Sequence, residues 1–116
     1  MSLDMDNMLS LLEEFALENP DDVSKGIADD FRKRRIEKGV TREMVAQKSG
    51  VPLSNIVRFE QKGLISLKNL IGIAMAMGYT SEIAHIFSDP KFSTMEELVQ
   101  IRQNQNKKKA HKSCPK

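Results

Sequence analysis

The sequence predicts an all-α fold, and three observations carry that prediction. Apolar residues recur at three- and four-residue spacing through most of the chain, as one face of a helix requires. Ser or Thr stands ahead of several of these runs (Thr41, Ser66, Thr80 or Ser81, Ser93), and Gly39, Gly50, Gly63 and Gly78 close them. No segment alternates apolar and polar residues in a way that argues for a strand. At 116 residues the chain has room for one domain of ordinary size plus terminal extensions.

The first element is an acidic amphipathic helix within residues 1–20, with Leu3, Met8, Leu11, Leu12 and Phe15 on one side and acids on the other. Asn19-Pro20 breaks it, because the residue before a proline avoids helix. A second helix is expected over Val23 to Lys38, with Val23, Ile27 and Phe31 facing inward and Gly39 as its stop. Thr41 caps a third over Arg42 to Ser49. After the turn at Gly50, a fourth begins with Pro52 and ends at Lys62-Gly63. Ser66 caps the next, whose core stripe is expected to be Leu67, Leu70, Ile71, Ala74 and Met77. A short helix from Thr80 or Ser81 to about Phe87 completes a domain spanning residues 23–88. In the extension over residues 89–104, Ser93-Thr-Met-Glu96 has the spacing of a capping box. It opens a helix lined on one side by Met95, Leu98, Val99 and Arg102. Residues 105–116 are polar and aperiodic and are expected to be a disordered basic tail.

Apolar residues make up 40% of the chain and charged residues 29%, with a net charge of only +2. The distribution is more informative than the sum. Residues 1–22 hold seven acids and no Lys or Arg, residues 107–116 hold five lysines and no acid, and the middle is modestly basic. Cys114 is the sole cysteine, so no intramolecular disulfide is possible and a reducing compartment is expected. No apolar run approaches the length of a membrane span and no basic signal-peptide start is present, so a cytoplasmic location is expected. His85 and His111 lack ligand spacing, and no nucleophile–base pair or phosphate-cradling loop is visible. Neither an enzyme, a metal site nor a cofactor is expected. The seven methionines read as pliable packing.

The residues from Thr41 to Glu60 carry the functional signal. Ala46 is small where two helices must cross closely, Gly50 permits a left-handed turn, and Val51 and Ile56 supply the apolar face of the second helix. That spacing is that of a helix-turn-helix. Leu53, Ser54, Asn55 and Arg58 are left on the exposed end and outer face, where base edges are met. Ser54 can donate or accept, Asn55 suits adenine, Arg58 suits guanine O6 and N7, and Leu53 can press on a thymine methyl. Arg42 at the start of the first motif helix, Thr41 before it and Lys62 after the second are candidates for phosphate contacts. Arg32, Lys33 and Lys48 are weaker candidates.

From Ile27 to Phe87 the chain resembles the lambda-repressor-like family, also called the Xre or Cro/CI type. The resemblance rests on Ile27-Ala-Asp-Asp-Phe-Arg-Lys-Arg-Arg-Ile-Glu-Lys-Gly39, on the helix-turn-helix, and on Ser66-Leu-Lys-Asn-Leu-Ile-Gly-Ile-Ala-Met-Ala-Met-Gly78. It implies a five-helix DNA-binding domain, here with an extra N-terminal helix and a C-terminal helix plus basic tail. It also implies that Arg35 pairs with Glu60 as a structural clamp that reads no DNA. The many relatives with a polar residue at the position of Leu53 differ from this chain. The stretches Arg58 to Leu70 and Ile86 to Leu98, with the lysine-rich end, resemble the small HipB-like regulators that accompany HipA-type kinase toxins as antitoxins. That group implies a homodimer that represses its own operon at a palindrome and binds the toxin kinase. The competing reading is a protein-binding adaptor that keeps the fold without sequence-specific DNA binding. Low net charge, apolar Leu53 and Val57, and the acidic helix favour it.

Overall fold

In the computed structural model, which describes residue 8 and residues 19–112, Asn19 sets the start of the first helix. Its backbone is extended (φ −77°, ψ 128°) and its Oδ1 accepts the Asp21 N–H at 2.8 Å. Pro20 follows at the first helical position, where a missing N–H forfeits no bond. Asp21 and Asp22 in the first turn and Arg34 and Arg35 in the last complement the helix dipole. This helix is α1, Pro20–Glu37. The others are α2 (Arg42–Ser49), α3 (Leu53–Lys62), α4 (Leu67–Ala76), α5 (Thr80–Ala84) and α6 (Met95–Lys112). No strand occurs among the described residues. The helix expected over residues 1–20 lies almost wholly outside them.

The chain divides into two compact units, Met1–Ile83 and Ala84–Lys116. In the first, α1 packs on α3, and α2 packs on α3 and α4. Ala28, Val45, Val51, Ile56, Phe59, Ile73 and Met77 form the buried core. Phe31 lies against Phe59 with ring centroids 5.7 Å apart and tilted by 60°. The Lys38 ammonium donates to the Met77 carbonyl at 2.8 Å and so ties the end of α1 to the end of α4. Among the described residues no helix is long and apolar enough to cross a membrane.

Two helices differ from expectation in rotation. On α1 the inward residues are Ala28 and Arg35, with Phe31 half-buried, whereas Val23 and Ile27 are exposed. Neighbouring helical residues point ~100° apart, so burying Arg35 turns Ala28, seven positions earlier, inward and Ile27 out. On α4, Leu67 is 66% exposed and the fully buried residue is Ile73. Leu70, Ile71 and Ala74 of the expected stripe are half-buried and Met77 is buried, while a Cβ on Gly72 would lie 3.1 Å from Val51 Cγ2, so α4 approaches the turn of the motif there. Boundaries shift as well. Pro52 precedes α3 as its cap and accepts the Asn55 and Ile56 amides at 3.0 and 3.3 Å. The short α5 ends at Ala84, and residues 85–87 form a turn instead of the helix expected to reach Phe87.

In the second unit, Thr94 and not Ser93 caps α6, accepting the Glu97 amide at 3.1 Å. Glu97 reaches back to the Ser93 hydroxyl at 2.7 Å and its amide at 3.2 Å, and these bonds hold its carboxyl below the usual value. The cap lies one residue later than the spacing suggested, and Glu97 bonds Ser93 instead of the Thr94 amide that a capping box would engage. The helix then continues to Lys112, so residues 105–112 are helical where a disordered tail was expected. Lys, Gln and Ala are good helix formers, and polar composition alone does not end a helix already nucleated.

Gly63 makes the exit turn of α3 with φ +71°, and a Cβ there would meet Ser24 Oγ at 2.9 Å and the Lys25 amide nitrogen at 3.1 Å. The Ser24 hydroxyl donates to the Gly63 carbonyl and fixes this turn on α1. Gly39 has a similar φ of +69° but open space around its Cα. Gly39→Ala is expected to lose only the left-handed strain, about 1–2 kcal/mol. Gly63→Ala should lose more, because the Lys25 backbone cannot step aside. Equal shifts in thermal unfolding for the two would contradict this packing.

Candidate nucleic-acid interface

The helix-turn-helix is built from α2, the turn at Gly50 and α3. Thr41 opens α2 with its hydroxyl accepting the Met44 amide at 3.1 Å. Gly50 ends α2 in the left-handed region (φ +78°), its amide bonded to the Ala46 carbonyl at 2.9 Å. The Val51 amide donates to Ser49 Oγ at 3.1 Å, and Val51 itself is buried. Ala46 lies half-buried against the core, and the wholly buried residue of α2 is its neighbour Val45.

One face of α3, Ile56, Phe59 and Glu60, is buried. The other presents the expected base readers. Ser54 and Arg58 are exposed, Leu53 is 38% exposed in the first turn, and Asn55 is half-buried. An open groove of about 410 Å³ runs between the end of α1, the start of α2 and the first turns of α3. Ile36, Val40, Leu53 and Val57 are its apolar lining, and Arg32, Arg35, Thr41, Arg42 and Glu43 its polar lining. It therefore gathers Thr41, Arg42 and Leu53. Ser54, Asn55, Arg58 and Lys62 do not line it, and Lys62 is exposed in the last turn of α3. Lys33 and Lys48 are exposed as well.

Glu60 ties these elements together. Arg35 grips its carboxylate with Nε to Oε2 at 2.7 Å and Nη2 to Oε1 at 3.0 Å, while Nη1 donates to the Val40 carbonyl at 3.0 Å. Arg42 Nε donates to the same Oε1 at 2.9 Å. Burial pushes the Glu60 carboxyl up, but hydrogen bonds from Arg35 and Arg42, and then their charges, outweigh it and hold the carboxyl below its usual value. The Arg42 contact is the part that sequence reasoning missed. Arg42 was expected to point only at phosphate, and no periodic spacing links the first residue of α2 to the last turn of α3.

The Arg42 side chain stays 35% exposed, beside α2 amides that have no intrahelical partner. Since Arg35 already grips both oxygens of Glu60, Arg42 can turn outward without stranding the carboxylate. Arg42→Gln is expected to change folding stability by less than about 1 kcal/mol, as for a partly exposed pair.

Residues 31–83 match the family model described as helix-turn-helix. Comparison with curated proteins found no match. The matched segment runs from the middle of α1 into α5 and contains the whole of α2 and α3. The match and the all-helical architecture are consistent with the expected lambda-repressor-like fold. Over these residues the chain carries a DNA-binding helix-turn-helix domain of the kind found in transcription regulators.

Proposed function

We propose that this chain is a sequence-specific transcriptional repressor that binds an inverted-repeat operator as a homodimer. The observation that carries the reading is α3. Its inner face is locked into the core, while Ser54 and Arg58 stay free at the surface of a matched helix-turn-helix. One such helix offers too few base contacts for high specificity, which is why two half-sites about one helical turn apart are required. In this reading Leu53, Ser54, Asn55 and Arg58 meet bases, while Thr41, Arg42 and Lys62 meet phosphates. Arg42→Gln then weakens binding to all sequences alike and lowers the salt slope by about 0.9 per copy. A slope unchanged by the substitution would remove Arg42 from the interface.

The antitoxin role rests on the resemblance of the segments Arg58–Leu70 and Ile86–Leu98. It makes the operon's own promoter the operator and a kinase-type toxin the protein partner. Footprinting the DNA upstream of the coding sequence tests it. An inverted repeat protected by the purified protein is expected, with a kinase encoded in the same transcript that binds the protein when co-expressed. Protection of unrelated promoters only, or a neighbouring gene without a kinase, would discard the antitoxin role.

A further inference from the structure

One stripe of α1 is apolar and open. Val23, Ile27 and Phe31 follow one another at four-residue intervals, which places them on one side of the helix. Val23 is 40% exposed and Ile27 46%, while Phe31 is half-buried against Phe59. The chain enters α1 at Asn19, four residues ahead of Val23. Asn19 is extended (φ −77°, ψ 128°), as a residue before proline tends to be. A helix preceding it therefore cannot run on into α1 as one rod. Within residues 1–18, Met5, Met8, Leu12 and Phe15 recur at alternating three- and four-residue spacing, the seam of a helix that packs on another. Met8, the one described residue of that segment, is helical and 45% exposed.

We propose that the segment before Asn19 folds back on α1 as the first arm of an αα-hairpin, seating its seam on the stripe of Val23, Ile27 and Phe31. The point where the segment joins α1 selects that occupant. Helices joined by a few residues lie side by side and antiparallel, and only Ala16 to Asn19 separate Phe15 from the start of α1. The reversal sets Phe15 opposite Val23, Leu12 opposite Ile27, Met8 opposite Phe31 and Met5 along the stem of Arg34. The two lengths agree, since Met5 to Phe15 spans ~15 Å of helix and Val23 to Arg34 ~17 Å. Asp6 and Glu13 fall on the far side of the seam and face water. The tether also supplies an effective concentration on the order of mM, an advantage that a second copy or a separate protein lacks. A helix seated on α1 is not free for a protein partner, which withdraws the support that the adaptor reading took from it. The contact borrows nothing from α3, so it stands apart from base reading.

Cross-linking of the full-length protein with a short bismaleimide tests it, in a Cys114→Ser background that removes the native thiol. Leu12→Cys with Ile27→Cys is expected to be bridged within one chain, several-fold faster than Ser10→Cys with Ile27→Cys. Ser10 lies on the opposite side of the same helix, so this comparison separates seating from the chance collisions of a tethered segment. Equal rates for the two pairs would overturn the proposal. So would bridging mainly between two chains, which would make a second copy the occupant. Leu12→Cys bridged faster to Met75→Cys than to Ile27→Cys would place the segment on the exposed side of α4 and overturn it too. Thermal unfolding supplies the second reading. Leu12→Asp and Ile27→Asp should each lower the midpoint by a few degrees, and the pair together no further than the larger single change, because both break one contact. Losses that simply add would mean that the two residues never meet.

Discussion

Glu60→Ala is expected to remove about 3–5 kcal/mol of folding stability. The Glu60 side chain is 1% exposed and that of Arg35 10%, so deletion of the carboxylate strands a buried guanidinium. Arg42, more exposed, can turn to solvent and adds little to the loss. Small domains have only about 5–15 kcal/mol to lose, so the variant should unfold at markedly lower denaturant. Replacing both partners together, Arg35→Met with Glu60→Leu, should recover much of the loss, because an apolar pair leaves no unpaired charge. A loss below about 1 kcal/mol for Glu60→Ala would mean that the clamp is worth no more than a surface pair.

The same clamp fixes a pH dependence. Glu60 has a folded-state pKa below its ordinary 4.5, so between the two values the unfolded chain binds more protons than the folded one. Stability from this group is therefore complete above about pH 4.5 and is lost as pH falls through the lower folded value. Glu60→Gln removes that dependence. The stability gap between parent and Glu60→Gln should narrow with acid in that window, and a gap that widened would reverse the assigned direction.

Arg58→Ala is expected to have the largest effect on DNA binding. A bidentate Arg–guanine pair is worth roughly 1–3 kcal/mol. A dimer makes it twice, so affinity for the operator should fall roughly thirty-fold to twenty-thousand-fold. Arg58 is exposed, so stability should change by no more than about 0.5 kcal/mol. Preference should relax at one base pair of each half-site and persist elsewhere. The adaptor reading expects the opposite pattern, with Arg58→Ala harmless and Leu12→Asp damaging to partner binding.

The parts of this fold that were legible in sequence are those set by local chemistry. Thr41 and Ser66 cap as their positions suggested, and Gly39, Gly50, Gly63 and Gly78 all take positive φ. Rotation was not legible. The apolar spacing on α1 favours Ile27 over Ala28, and only the need to bring Arg35 to Glu60 decides otherwise. Leu67 and Ile73 on α4 repeat the lesson, since periodicity supplies a spacing while the packing partner supplies the phase. The bond from Arg42 to Glu60 joins residues 18 positions apart and is created by tertiary folding alone. The exposure of Leu53, Ser54 and Arg58 was legible because a helix-turn-helix assigns exposure by position, whereas Asn55 is half-buried.

Selection from a pool of random duplexes by the purified full-length protein, repeated at low and high salt, tests the central claim most directly. An inverted repeat with half-sites about one helical turn apart is expected, still enriched at high salt and no longer enriched by Arg58→Ala. Enrichment of no sequence, with binding that vanishes as salt is added, would mean that α3 reads no bases and that attraction to phosphate is all the domain offers DNA.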